Sequence, residues 1–471
     1  MQLEAVLSEC RPAFSQERVY RRASNLLLSA LGCLGRHTVT GMLATAGHQF
    51  VDWSAAYRVF AEGRVDQERL WAVLRRIVGE ELGDKRPFFA AMDDTLLGRT
   101  GRKVSGASWR RDAQGPPFQT NLVWGQRFVQ VSALLPESAG ASRARAIPVD
   151  LQHCPGARRP SARALPEEWA QYREQRHALS LSAQGAARLA ALRASLDSQP
   201  ENCARRLVVA VDGGYTNSTV LRRLPAQTTL IGRIRKDARL CAPPCAGATG
   251  GRPRVYGAPV ATPGALLSDD SEPWQEVRAW AAGRVHTFQV KTVAPVRWRG
   301  AGGQDLRLLV IRPLHYRLCR GSKLLYRQPG FLVCTDPAMP LDELLQTYIW
   351  RWEAEVAFRE EKTLLGMGQA QVRTARAVEA LPAFIATAYS CLHLAARRAG
   401  LQQDVLARPR WQRSKPGGRC STSQLISLLR SELWRRACQR GFGGFAYPTP
   451  QSREPQNTPF HPFHACVYAH Q

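Results

Sequence analysis

The stretch Tyr348-Ile349-Trp350-Arg351-Trp352-Glu353-Ala354-Glu355-Val356-Ala357-Phe358-Arg359-Glu360-Glu361-Lys362 decides how the rest of the chain is read. Just upstream, Pro340-Leu341-Asp342-Glu343 opens a helix, because proline is tolerated in the first turn and acids are favoured there. At about 100° per residue, with Tyr348 as zero, Arg351 falls at about −60°, Glu355 at about −20° and Lys362 at about −40°. A phenol, a guanidinium, a carboxylate and an ammonium group therefore share one arc of about 60° over about four turns. Leu344, Leu345 and Val356 do not form one clean opposing stripe. A solvated helix face would look the same, so the choice between a face and a site rests on the rest of the chain.

Two apolar runs supply it. Phe88 to Met92 is unbroken and ends in Asp93-Asp94, and Arg206 to Val211 ends in Asp212-Gly213-Gly214. Such runs read as strands buried on both faces. An acid at the end of a core strand is costly unless it is paired or binds a cation. Asp-Gly is also a common turn, so neither acid is decisive alone. With Glu355 they give strand–Asp, strand–Asp, helix–Glu in chain order. Three carboxylates brought together repel one another, and divalent metal resolves that repulsion. Two Mg²⁺ ions about 3.5–4 Å apart would activate a water or a 3′-hydroxyl and stabilise the leaving oxygen of a phosphodiester.

Charge points the same way. Sixty-five Lys+Arg against 38 Asp+Glu gives 65 − 38 = +27 over 471 residues, and the excess is mostly arginine. A surface that basic calls for a polyanion, and nucleic acid is the usual one. Hydrophobic residues at 44% and charged residues at 22% exclude a chain that is disordered or fibrous throughout. The length suggests two or three domains. The longest apolar stretch, Ala380 to Ala396, contains Pro382, Thr387, Ser390 and His393 and reads as a buried helix, so no membrane segment is expected. Residues near the N-terminus include Glu4, Glu9 and Arg11 without a signal-peptide core, which makes a cytoplasmic, nucleoid-associated protein the expectation. Cys241 and Cys245 have no facing pair at zinc spacing, so the twelve cysteines are read as reduced thiols.

The remaining elements follow from periodicity. Ser24 to Gly35, Thr38 to Ala46 and Gln67 to Glu80 read as helices, with turns at Gly47-His48-Gln49 and Ala61-Glu62-Gly63. Phe118 to Trp124 and Arg127 to Leu135 read as a hairpin split by Gly125-Gln126. Glu167 to Leu196 reads as one long helix and Leu381 to Arg398 as a last packed one. Thr228 to Arg235, Leu306 to Ile311 and Gly330 to Thr335 read as strands. Residues 239–305 are rich in Gly, Pro and Arg, with short alternating runs such as Val285 to Val293, and suggest an inserted β segment.

Tyr348-x2-Arg351-x3-Glu355-x6-Lys362 resembles the Tyr-x2-Arg-x3-Glu-x6-Lys signature of the insertion-sequence-four-like group of DDE transposases. Arg351 to Phe358, then Leu365-Gly366, look like that group as well. So do Asp93-Asp94-Thr95-Leu96, Arg99-Thr100-Gly101-Arg102-Lys103 and Gly106, and the strand ending in Asp212. The resemblance covers residues 87 to 375. It implies an α/β, RNase H-like catalytic core of mixed sheet and flanking helices, with an inserted β-rich domain and an N-terminal helical domain. The implied bounds are 1–82 for the helical domain, 83–238 and 306–401 for the two parts of the core, 239–305 for the insertion, and 402–471 for a basic, partly disordered tail.

The resemblance also implies roles. Asp94, Asp212 and Glu355 would be the catalytic ligands of two Mg²⁺ ions, which Mn²⁺ can replace. Asp94 is chosen because the acid just before Thr is the family's ligand, and Asp93 is the backup. Neighbouring strand residues point to opposite sides, so only one of the two can face the metals. Asp336 is a weaker rival for the second acid. Tyr348, Arg351 and Lys362 match positions that grip DNA phosphates, and Arg99, Arg102 and Lys103 belong to the basic stretch Arg99 to Arg111. Arg158 to Arg163 and Arg408 to Arg419 are further expected phosphate tracks. Relatives place in the insertion a tryptophan that holds a flipped base, and here Trp274, Trp280 and Trp298 compete for that role. The expected partner is double-stranded DNA, both element ends and target, with a dimer on the paired ends. The alternatives are a catalytically inactive, domesticated DNA-binding protein and an RNase H-like structure-specific nuclease.

Overall fold

The computed structural model describes residues 2–83, 86–112, 115, 121–244, 254–317, 319, 321–401 and 419–438. In chain order the strands are β1 (Phe88–Gly98), β2 (Ser108–Arg111), β3 (Leu122–Pro136), β4 (Ala144–His153), β5 (Leu207–Val211), β6 (Thr228–Arg233), β7 (Leu240–Cys241), β8 (Gln275–Ala281), β9 (Arg284–Trp298), β10 (Asp305–Ile311), β11 (His315–Tyr316), β12 (Leu325–Tyr326) and β13 (Gly330–Cys334). Among the described residues, eleven of these make one mixed sheet ordered β2-β3-β1-β5-β6-β13-β10-β9-β7, with β4 added on β3 and β8 on β9. β1 runs antiparallel to β3 and parallel to β5, and β5 is parallel to β6. Every side chain of β5 is buried, as its unbroken Leu-Val-Val-Ala-Val run requires of a central strand. This is the mixed α/β sheet with flanking helices that the sequence implied.

The helices are α1 (Gln2–Glu9), α2 (Glu17–Gly32), α3 (Val39–Thr45), α4 (Ser54–Ala61), α5 (Gln67–Leu82), α6 (Pro166–Ala178), α7 (Leu181–Asp197), α8 (Ser218–Leu221), α9 (Pro263–Leu267), α10 (Leu341–Trp350), α11 (Trp352–Thr363), α12 (Ala375–Arg398) and α13 (Thr422–Cys438). Helix α12 is the axis of the assembly. Residues Leu381 to Ala395 are buried throughout, against β4 on one side and α1, α2, α4 and α5 on the other. Phe60 of α4 meets Phe384 edge-on at 5.2 Å, and Ser390 Oγ donates to the Pro148 carbonyl of β4 at 2.7 Å. At its end, Arg397 and Arg398 tie to Glu81 and Glu80 of α5. By length and composition α12 is apolar enough to cross a membrane, and 89% of its most apolar window is buried in the protein.

Four elements differ from the sequence reading. Gly125-Gln126 is no turn: β3 runs straight through it, with Gly125 opposite Gly98 on one side and Ser108 on the other. The glycine is there because a β-carbon would stand 2.6 Å from the Leu97 carbonyl oxygen, a close approach of backbones rather than a bend. The expected helix over 167–196 breaks at Leu179-Ser180, where the Ser180 hydroxyl caps α7 by accepting from Ala183 N–H. The helix after Pro340 is interrupted at Arg351, which separates α10 from α11. Segment 239–305 adds β7, β8 and β9 to the same sheet through the β9–β10 pairing. The tail expected at 402–471 lies outside the described residues except for Arg419 to Cys438, where Arg430 donates to the carbonyls of Gly32 and Cys33.

Candidate active site

Asp93 and Asp94 sit in mid-strand, and β1 continues past them to Gly98 because β3 supplies partners as far as Gly125. Asp212 follows Val211, which pairs with Met92, so both strands deliver their acids to one neighbourhood. The Asp212 carboxylate accepts from the N–H groups of Gly214 (2.9 Å) and Tyr215 (3.3 Å), and Thr216 Oγ1 donates to its carbonyl. It is thus both a turn former and a carboxylate held at the end of a core strand.

The alternation of β1 sends its two acids to opposite faces. Asp93 lies on the face covered by α11. Arg351 Nη1 donates to Asp93 Oδ2 at 3.1 Å, and Nη2 donates to Glu355 Oε1 at 2.9 Å. One guanidinium, only 14% exposed, therefore joins the strand to the helix acid. The Tyr348 ring lies 5.9 Å from the same guanidinium. The other Asp93 oxygen accepts from the Asp94 N–H at 2.8 Å. Asp94 turns to the face covered by α7. There Tyr215 donates to Oδ1 at 3.3 Å, and Arg127 lies 3.3 Å from Oδ2.

Burial is the largest influence on both acids. It pushes Asp93 up to about 7, against the Asp94 N–H and Arg351, while the charges of Asp212 and Asp94 push the same way. Asp94 is also raised by burial and by Asp212, with Arg127 and Tyr215 opposing. The acids thus sense one another. The donor chemistry suits a divalent cation, which prefers oxygen ligands and resolves mutual repulsion among carboxylates. Among the described residues, no three His, Cys, Asp or Glu side chains converge closely enough to hold a metal ion in this arrangement, in which Arg351 lies between Asp93 and Glu355.

The other expected site residues are placed as follows. Lys362 is half-buried, and burial lowers its pKa. Arg99 is held inside the protein: it donates to Gln126 Oε1 (2.9 Å) and to the carbonyls of Gly368 and Ala370, stapling the segment after α11 to the end of β1. Arg102 is exposed and lies over Trp109 (5.2 Å) and Trp124 (5.5 Å), and Lys103 is exposed. Asp336 is bound to Arg206 at 2.6 Å as part of the turn into α10. Trp274 is flanked by Lys291 and Arg312, Trp280 lies under Arg143, and Trp298 packs over Gly300. Of the expected tracks, Arg408 to Gly418 falls outside the described residues, while Arg419 binds Glu353 at 2.6 Å. Sequence reasoning missed Tyr215 and Arg127. Tyr215 could have been found three residues after Asp212, whereas Arg127 reaches Asp94 through strand register alone.

A mixed sheet that brings Asp93, Asp94 and Asp212 within reach of one another, with Arg351 linking Asp93 to Glu355, gathers oxygen ligands of the kind a divalent cation prefers. The profile of the DDE superfamily endonucleases matches residues 10–304, and the chain belongs to that superfamily. The match contains Asp93, Asp94 and Asp212 and ends before the Tyr348–Lys362 segment. Members use divalent metal ions and act on DNA. No curated protein matches the chain.

Proposed function

We propose that this endonuclease is a DNA transposase of the insertion-sequence-four-like group. It would cut at the ends of its own element and join the exposed 3′-hydroxyl to target DNA, acting as a dimer on paired ends in the cytoplasm. The carrying observation is the ion-pair bridge from Arg351 to both Asp93 and Glu355, since it joins the signature helix to the strand that bears the first acid.

Asp94, Asp212 and Glu355 would hold two Mg²⁺ or Mn²⁺ ions. Asp94 and Glu355, which contact Tyr215 and Arg351 on opposite faces of β1, would reach the ions from either side of the edge that β1 leaves open beyond its last pairing with β5 at Met92. Asp93 has both oxygens engaged, by the Asp94 N–H and Arg351, and is better suited to anchoring that arginine. Asp94 has only the longer contacts from Tyr215 and Arg127. When bound, the ions would activate the attacking water or 3′-hydroxyl and stabilise the leaving oxygen. The rest falls to the chain. Tyr348, Arg351 and Lys362 would grip phosphates beside the cut, where fixed positive charge favours the developing negative charge. Arg102 and Lys103 would track the backbone, and Arg99 would hold the Gly368–Ala370 segment in place.

The test is a supercoiled plasmid carrying the element's own ends, with wild type and Glu355→Gln in Mg²⁺ or EDTA. Wild-type cutting at the ends only with Mg²⁺, with a variant that binds but does not cut, supports the reading. Equal behaviour of the two proteins overturns the role of Glu355 and favours a DNA-binding relic. Cutting of branched DNA without need for the ends would make it a structure-specific nuclease.

A further inference from the structure

Arg110 of β2 lies opposite Val123 and faces the Asp94 side of the sheet, away from Arg351. Its guanidinium rests against Gly156, so closely that a β-carbon there would stand 3.0 Å from Nη2. Its Nε and Nη2 are buried and have no hydrogen-bond acceptor among the described residues. The charge that acts on it most strongly is another cation: Arg127 disfavours the positive form of Arg110, after burial, which is the larger effect. Arg127 Nε is also buried without a hydrogen-bond acceptor, although Asp94 Oδ2 lies 3.3 Å away. The chain next to both is basic: Cys154 N–H donates to the Arg127 carbonyl, and Arg158, Arg159 and Arg163 follow.

Hidden guanidinium N–H groups without acceptors are unfavourable, and so are two like charges side by side. Asp94 offsets part of the Arg127 charge, but the buried Nε and Nη2 of Arg110 have no acceptor among the described residues, so the arrangement makes sense if an oxyanion completes it. A guanidinium fork matches the tetrahedral oxygens of a phosphate, and two forks on one group match it better.

We propose that Arg110 and Arg127 form a phosphate site for the DNA backbone beside Asp94, on the opposite face of β1 from Arg351. DNA would then be gripped on both sides of the carboxylates, by α11 on one face and by the β2–β3 pair on the other. The inference rests on the reading of these acids as the cutting site.

Its test does not depend on cutting. Binding of a 30-base-pair duplex is measured in EDTA across a salt series for wild type, Arg110→Gln, Arg110→Lys and Glu355→Gln, with the Tm of each free protein. Arg110→Gln should lower the slope of log affinity against log salt by about 0.9, the value for one phosphate contact. Arg110→Lys should restore the slope but not all of the affinity, because an ammonium cannot make the fork. The free Arg110→Gln protein should melt no lower than wild type, since an unmatched cation has been removed. An unchanged slope in Arg110→Gln, whatever its Tm, overturns the proposal. A wild-type Tm raised more by inorganic phosphate than by chloride at equal ionic strength, with that slope unchanged, would make this a small-anion site and equally overturn it. If wild type and Glu355→Gln themselves fail to bind the duplex, it is the broader functional reading that fails.

Discussion

Glu361 is fully buried on the face of α11 that meets β3, where Gln130 Nε2 reaches one oxygen at 3.3 Å and the other has no partner. Burial pushes this carboxyl from 4.5 up to about 8, so the fold holds it with its proton at neutral pH. The folded state then binds more protons than the unfolded chain between those two values. Stability must therefore fall as pH rises through about 4.5 to 8, by on the order of a few kcal/mol. Glu361→Gln keeps the shape and cannot ionise, so its urea midpoint should stay flatter across that window; a variant with the wild-type pH slope would refute the assignment. The two β1 acids make a second contrast at this scale. Asp94→Asn should abolish nicking of the plasmid, whereas Asp93→Asn should leave measurable nicking while freeing Arg351. Loss of all nicking in Asp93→Asn with full activity in Asp94→Asn would reverse their roles.

The elements show which contacts the acids depend on. Helix α7 packs so tightly on the site that a β-carbon at Gly185 would stand 2.7 Å from the Tyr215 ring and 3.1 Å from Met92 Cε. Gly185→Ala should push Tyr215 off Asp94 and destabilise the protein by about 1–3 kcal/mol, as overpacking typically does. A chemical-denaturation curve identical to wild type would show that the helix yields instead. Strand cores such as Phe88 to Met92 and Leu207 to Val211 were legible because burial on both faces leaves an unbroken apolar run. The continuation of β1 through Asp93, Asp94 and on to Gly98 was not, since it is imposed by the length of β3. Gly125 carries the same letter whether it bends a chain or lets two strands approach. The pairing of Arg351 with Asp93 was equally invisible, because a partner 258 residues away leaves no local pattern. Spacing within one segment could place Tyr348, Arg351, Glu355 and Lys362 together, though not the break at Arg351.

For the whole molecule, a net charge of +27 sets the energetics of any encounter with DNA. If 6–10 phosphates are neutralised, affinity should fall by roughly 10³–10⁵ between 50 and 200 mM salt. A filter-binding series showing a nearly flat dependence would mean that the charge serves something else. The same scale governs the N-terminal helices. Their apolar faces pack on one another and on α12, which meets α1, α2, α4 and α5 within one continuous core. A fragment ending at Leu82 should therefore show weak helical circular dichroism and no cooperative melting. A sharp transition in that fragment would make it an independent domain.

The shared helix also gives the protein a history during its synthesis. Leu82 leaves the ribosome 293 residues ahead of Ala375, which is 375 − 82. At about 5–20 residues per second that gap lasts roughly 15 to 60 s. For all of that time the apolar residues of α1, α2, α4 and α5 that α12 will cover stay open to water. The nascent chain thus carries uncovered apolar surface through most of its synthesis, and the emergence of α12 is what closes it.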